Sequence, residues 1–378
     1  MDFTLSAFED EIKDTFRRFA DEVLAPQAAE IDELGEFPRE PFLEVARLGF
    51  FGMRYPESVG GLGLSRVAYC LAIEEIARAS LSVAASCAMQ SLMGTHFVYR
   101  SGNQELLREF FAPALEGNRI GTICMTEPDA GSDLKAIRTR AVRDGEEWVL
   151  SGQKTWVTSA PVADFFTVFA RTDAERSAGL SIFLVPRDAP GLVVGRKIEK
   201  LGVRASPTSE VVFDECRIPE RFILCEEGQA EGLLKEVLAE IRIMTGALAC
   251  GVAQAALDEA VRYAKQREQF GRAIGKFQAV RLPLGEAATD LVAARQLVRY
   301  AAWTADQGPC GPALPSMAKL FASEAAVSVC DKAARVLASY GFATEFPVER
   351  FLRDVRFTLI GGGTSEILKL TVARSLEL

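Results

Sequence analysis

Four short segments hold the side chains best suited to chemistry: TEPDAGSDL (126–134), SGQKTWVTSA (151–160), REQFGRAIGKFQ (267–278) and LIGGGTSEILKLTVAR (359–374). The first is a turn rich in backbone N–H groups and hydroxyls, able to hold a phosphate or the polar edge of a heterocycle. The second places Trp156 two residues before Thr158 on a strand, so both point to one face. An indole beside a hydroxyl suits a flat aromatic ligand that accepts a hydrogen bond. The competing reading makes Trp156 a core residue and Thr158 a surface strand residue. The last segment carries three consecutive glycines. Each costs a helix roughly 1 kcal/mol against alanine, so the run stops any helix and leaves space without side chains. No Walker loop, GxGxxG, HExxH or GxSxG sequence is present. A single histidine, His96, argues against a His-based metal site or a Ser-His-Asp triad, and His96 reads as a packed or capping residue. Cys70, Cys87, Cys124, Cys216, Cys225, Cys250, Cys310 and Cys330 form no CxxC pair and read as buried, reduced thiols.

The elements that must position these segments fall into three blocks. The 378 residues are 49% hydrophobic, enough for two or three domains with a large core. Residues 1–118 read as an N-terminal α-helical domain, with apolar spacing of three and four in FLEVARLGFFGM and YCLAIEEIARASLSVAASCAMQSLMG. From 119 to 228 the texture changes to short β-branched and aromatic runs between Gly, Pro, Asp and Ser, which predicts antiparallel strands. From 229 to 378 helices return as a bundle. Leu234, Leu238, Ile241, Thr245, Leu248, Val252 and Ala256 form one apolar face of a long helix that ends near REQFGRAIG. Further helices are expected over 278–306 and 316–340, with a short one from Ser365. Lys+Arg total 43 against 52 Asp+Glu, a net charge of -9, which argues against nucleic-acid binding. No run is long and apolar enough for a membrane span, and the charged start MDFTLSAFEDEIKDTF has no apolar signal core. A cytoplasmic protein is expected.

Taken in order, PESVGGLGLS, RIGTICMTEPDAGSDL, LGVRASPTSEVVFDECRIP and GGGTSEILKLTVAR resemble the acyl-CoA dehydrogenase family of FAD flavoproteins along the whole chain. The resemblance implies an α+β fold: an N-terminal helical domain, a middle antiparallel β-barrel or sandwich, and a C-terminal four-helix bundle. It implies that Ile123, Met125 and Thr126 line the flavin, with Gly131 in the same turn and Ser132 touching cofactor or thioester. Trp156 would pack beside the isoalloxazine and Thr158 would donate a hydrogen bond towards flavin N5, where negative charge builds up on reduction. Arg267 and Phe270, with Ile274, Phe277 and Gln278, resemble residues that hold the FAD of a neighbouring subunit. A homodimer or a dimer of dimers is therefore implied. Thr364 and Glu366 would approach the cofactor at a helix N-terminus. Arg242 stands where the family has an arginine facing the CoA portion of the substrate. Met89, Gln90, Met93, Ile241, Thr245, Gly362 and Gly363 would complete the acyl pocket.

The resemblance fails at the catalytic base. An acyl-CoA dehydrogenase needs a carboxylate to take the proton α to the thioester. Most members carry that Glu at the position of Gly362 and a second group at that of Ile241; here both are empty. Glu240 is one residue off, rotated by roughly 100° on a helix, and Glu366 resembles a flavin-facing position, so each is only a substitute. A second departure is RVLASYGF (335–342), where the family has a glutamine and a glycine pair against FAD. Arg335 and Ser339 lie there, and Arg335 could meet a phosphate or simply lie at the surface. Three readings follow: a thioester oxidoreductase whose base lies on a loop or in the substrate; a flavin-dependent oxygenase or oxidase working through a flavin hydroperoxide, as in secondary metabolism; or a DNA-binding relative without turnover, which the acidic charge opposes. The thioester could be borne by CoA or a carrier protein, and the electrons could pass to O2 or an electron-transfer flavoprotein.

Overall fold

The computed structural model describes residues 4–172 and 179–377; the outermost residues of the first and last expected domains lie outside that range. Its principal elements are α1 (Ala7–Phe19), α2 (Arg66–Ala79) and α3 (Leu81–Ala88), then β1 (Gly121–Cys124), β2 (Arg140–Asp144), β3 (Glu147–Thr158), β4 (Phe165–Arg171), β5 (Leu180–Pro186), β6 (Leu192–Lys197) and β7 (Thr208–Pro219), then α4 (Ala230–Gln266), α5 (Gln278–Gln307), α6 (Ala313–Leu337), α7 (Val348–Val355) and α8 (Ser365–Arg374). Helices Ala25–Leu34 and Arg39–Arg47 and several shorter helical turns complete the N-terminal block. Helix α1 starts on a capping box: the Glu9 N–H donates to the Ser6 hydroxyl and the Ser6 N–H to the Glu9 carboxylate at 2.8 Å.

The middle strands form one sheet in the order β1-β4-β2-β3-β7-β6, with β5 added on β4. Strand β4, FFTVFAR, is buried on both faces for its first six residues. The expectation of antiparallel pairing holds for β2–β3, β3–β7, β4–β5 and β6–β7. It is corrected at β4, which pairs in parallel with β1, Gly121 opposite Phe165, and with β2, Arg140 opposite Arg171. A parallel pair needs a crossover of a dozen or more residues, and the loop after Cys124 plus the whole β2–β3 hairpin supplies it for β1–β4.

Helix α4 carries the second correction. Every residue from Glu240 to Ala253 is buried, so the helix is the axis of the bundle rather than a one-sided element. Small residues allow this. A Cβ on Gly251 would stand 2.3 Å from the Glu74 carbonyl oxygen of α2, and one on Gly246 would meet Val298 of α5 at 2.7 Å. The third helix starts at Ala313 and ends at Leu337, three residues earlier at both ends than expected. Helix α7 was not expected. Its Arg353 pairs with Asp32 at 2.6 Å, tying the C-terminal bundle to the N-terminal helices.

Candidate active site

The loop leaving β1 lies beside β3. The Thr155 N–H donates to the Thr126 carbonyl at 2.9 Å, and the Thr122 hydroxyl to the Thr158 carbonyl at 2.5 Å. Ile123 is buried, Met125 and Thr126 half-buried, Gly131 and Ser132 exposed. Trp156 is 58% exposed, so the core reading of this residue does not hold. Strict alternation does not hold either. The β3–β7 register slips between Lys154 and Val157, and Trp156 sits in the slip with φ +57°. A bulky residue in left-handed geometry costs of order 1–3 kcal/mol and is kept where surroundings enforce it, commonly at ligand sites. The bulge turns the indole outward while Val157 stays buried and Thr158 half-buried on the indole's side. An exposed indole beside the hydroxyls of Thr126, Ser132 and Thr158 is a surface that fits the planar, polar-edged ring of a flavin.

The acyl side lies where α4 meets the glycine run. Gly362 has φ +73° and Gly363 φ +106°, both in the region that favours glycine. A Cβ on Gly362 would stand 3.0 Å from Ile241 Cγ2 and 3.3 Å from Thr245 Oγ1. The two positions that lack the expected base therefore face each other. Thr245 spends its hydroxyl proton on the Ile241 carbonyl, 2.7 Å away. Met89 is buried and Met93 half-buried in the π-helical segment Met89–Gly94, which packs on β1. Gln90 belongs to the framework rather than to a ligand wall. Its amide nitrogen donates to the Ala114 and Arg119 carbonyls, both at 2.8 Å, and its oxygen accepts from the Gly121 N–H. These bonds are the ones that fix β1 to the helical domain.

Neither substitute base has the properties of one. Glu240 lies between Arg54 at 3.1 Å and Arg66 at 2.5 Å. Burial pushes its carboxyl up, but the two guanidinium groups outweigh that and hold it below the usual range. Glu366 is exposed in the first turn of α8. Its own backbone N–H and the Thr364 hydroxyl hold it below the usual range as well. Thr364 is the N-cap of that helix, its Oγ1 accepting from the Ile367 N–H at 3.3 Å.

Arg267 and Phe270 stand on a small hairpin pairing Glu268–Gln269 with Arg272–Ala273 at the end of α4. Phe270 is 93% exposed, its ring 6.0 Å from that of Phe277. Ile274 is half-buried and Gln278 exposed. Arg335 is paired with Asp331 one turn away at 2.7 Å, and Ser339 is exposed. His96 is buried against the Phe97 and Tyr99 rings, with Nε2 3.5 Å from Glu236. The eight thiols are unpaired and six are buried.

One supporting cluster escaped the sequence reading. Glu127 accepts from Lys154 at 2.8 Å, from the Thr139 N–H and hydroxyl at 2.9 and 2.5 Å, and from the Arg138 N–H at 2.7 Å. Lys154 also donates to the Met125 carbonyl at 3.2 Å. Burial raises the Glu127 carboxyl, but the Lys154 charge and these donors bring it below its usual range. The cluster clamps the Thr126 turn to β3. A signal was present: Lys154 shares the inward parity of Trp148 and Leu150, and an inward lysine needs a buried acid.

Helices flanking a central sheet, with an exposed indole on a strand bulge and a glycine run against Ile241, fit a three-domain flavin-dependent oxidoreductase. Domain by domain the chain matches the acyl-CoA dehydrogenase family: the N-terminal domain over 6–118, the middle domain over 122–216 and the C-terminal domain over 232–377. The chain belongs to that family. It is 59% identical over its full length to benzylmalonyl-CoA dehydrogenase of Aromatoleum aromaticum, covering all of both chains. It is 38% identical to the mitochondrial short-chain specific acyl-CoA dehydrogenase of Mus musculus over 97% of this chain and 89% of that one. Butyryl-CoA dehydrogenase from Megasphaera elsdenii superposes with a TM-score of 0.96 at 32% identity, with full coverage of both chains. No helix among the described residues is long and apolar enough to cross a membrane.

Proposed function

We propose that this flavoenzyme oxidises a CoA thioester bearing a carboxylate on its α carbon, and that loss of this carboxylate as CO2 replaces removal of an α proton. The observation that carries the reading is the meeting of Ile241 and Gly362 where the family resemblance calls for a glutamate. Removing a positioned base costs about 10²–10⁴-fold in rate, so a working enzyme needs another source of the electron pair at the α carbon. The relative named for benzylmalonyl-CoA supports the choice, because a malonyl thioester brings an α-carboxylate with it. FAD is the cofactor, and when bound it accepts the two electrons and the hydrogen that leave the β carbon. Trp156 would flank its ring and the Thr126, Ser132 and Thr158 hydroxyls would meet its polar edge. A second subunit would bring the Arg267–Gln278 segment.

The electrons balance without a base. The bond from the α carbon to the carboxylate breaks, its pair becomes the α–β double bond, and the β hydrogen departs with the other pair. The products are CO2, an enoyl thioester and a two-electron-reduced acceptor. The chain's part is to orient the thioester and keep acids away. A glutamate at 241 or 362 would sit against the incoming carboxylate, and two carboxylates sharing a site repel. The test is benzylmalonyl-CoA labelled with ¹³C in its free carboxylate, given to the FAD-loaded enzyme. Release of labelled CO2 in equal amount with a 3-phenylpropenoyl thioester is expected. A product that keeps the label, or one that carries oxygen from O2, would sink the reading.

A further inference from the structure

Arg242 is 9% exposed, yet it lacks the partner a buried guanidinium needs. Its Nη1 donates to the Ser316 hydroxyl at 3.2 Å, and its Nε has no hydrogen-bond partner. Among the described residues no carboxylate lies within 4.0 Å of it. Three other arginines differ. Arg54 has Glu240 at 3.1 Å, Arg295 has Glu74 at 2.7 Å and Arg353 has Asp32 at 2.6 Å. Burial alone lowers the Arg242 pKa from its ordinary value, with no anion to offset it.

A second buried cation lies close by. Lys319 is fully buried on α6, one turn after Ser316. Its Nζ donates to the Gly363 carbonyl at 2.8 Å, and it too has no acid within ion-pair distance among the described residues. Burial, with the Arg242 charge adding to it, brings its pKa down to about 8. The chain thus places two positive charges close together beside the glycine run: Lys319 is bonded to the Gly363 carbonyl, and Arg242 is near enough to Lys319 to lower its pKa. Buried cations without counter-ions are costly, and an anionic ligand group would offset that cost.

We infer that Arg242, supported by Lys319, is the receptor for the carboxylate of a 2-carboxyacyl thioester, and so the residue that selects such substrates. The assignment rests on the reaction proposed above for its choice of ligand, and it is tested without turnover. Malonyl-CoA and acetyl-CoA differ by the carboxylate alone, and neither has a β C–H bond to oxidise. Calorimetric titration of the FAD-loaded enzyme should give malonyl-CoA the tighter binding, by about 30-fold or more for a desolvated charge pair. Arg242→Gln should bring the ratio close to one, and Arg242→Lys should keep part of it. Equal affinities in the wild-type protein would overturn the assignment. So would an Arg242→Gln variant that weakens both ligands alike, because that result gives the guanidinium to the CoA phosphates. The wild-type comparison stands even if a variant loses its fold. Tight, Arg242-dependent malonyl-CoA binding with no CO2 released from benzylmalonyl-CoA would uphold this receptor while sinking the proposed reaction.

Discussion

Ile241 and Gly362 share one small volume, and the chemistry expected of the enzyme follows from what that volume lacks. Ile241→Glu tests this at the level of one side chain. The new carboxylate would stand at one of the two positions the family resemblance gives for a base, beside the unpaired Arg242. It should lower kcat/KM for benzylmalonyl-CoA by at least about tenfold through like-charge repulsion. It should also start exchange of the α hydrogen of 3-phenylpropionyl-CoA for solvent deuterium, which the wild-type protein should not support. Steady-state kinetics and NMR of the recovered thioester read both effects, and an unchanged substrate preference would contradict the argument. These residues were legible in the sequence because gapless spacing from REQF back to Arg242 fixed their positions. That Ile241 touches Gly362 was not legible, since 121 positions separate them and no periodicity links a loop to a helix across a domain.

Strand β3 is held by its ladders with β2 and β7, but the turn that faces its bulge depends on a clamp. Lys154 and Glu127 hold the Thr126 turn against the bulge that presents Trp156. Lys154→Met leaves Glu127 buried with its three remaining donors but no cation, and should cost about 3 kcal/mol or more. The pH dependence has a definite sign. Folding holds the Glu127 carboxyl below its ordinary 4.5, so its contribution is present above that value and is lost as pH falls through the lowered one. The gap between wild type and Lys154→Met should therefore be wide at pH 7 and narrow below pH 4, in urea unfolding followed by fluorescence. A constant gap would count against the clamp. The sequence announced strands here from their composition, and it concealed the bulge. A left-handed Trp156 breaks the alternation that strand reading relies on, and the order of strands in a sheet leaves no local trace.

Across the whole molecule, the three blocks and their order were readable because texture changes at their borders, near residues 119 and 229. Unreadable was what each block does for the others. Gln90 ties helices to β1, Arg353 ties α7 to Asp32, and α4 runs buried through the bundle instead of along its edge. The hairpin with Phe270 carries the most exposed large side chain of the implied cofactor site, at 93%. Phe270→Asp should lower FAD retention and shift the assembly toward smaller species in light scattering, while far-ultraviolet circular dichroism stays unchanged. Full retention in an unaltered assembly would argue that the hairpin serves neither cofactor nor partner.

The contact between Gly362 and Ile241 also bears on how such a protein changes over generations. A side chain at 362 must accept φ +73° and, with isoleucine in place, a neighbour at 3.0 Å. Recovering the ordinary dehydrogenase base at 362 thus carries backbone strain and needs Ile241 to give way by a few tenths of an ångström. Position 241 carries no such hindrance, because its neighbour is a glycine. The pair is asymmetric, and descendants of this chain regain a glutamate more readily from the helix than from the glycine run.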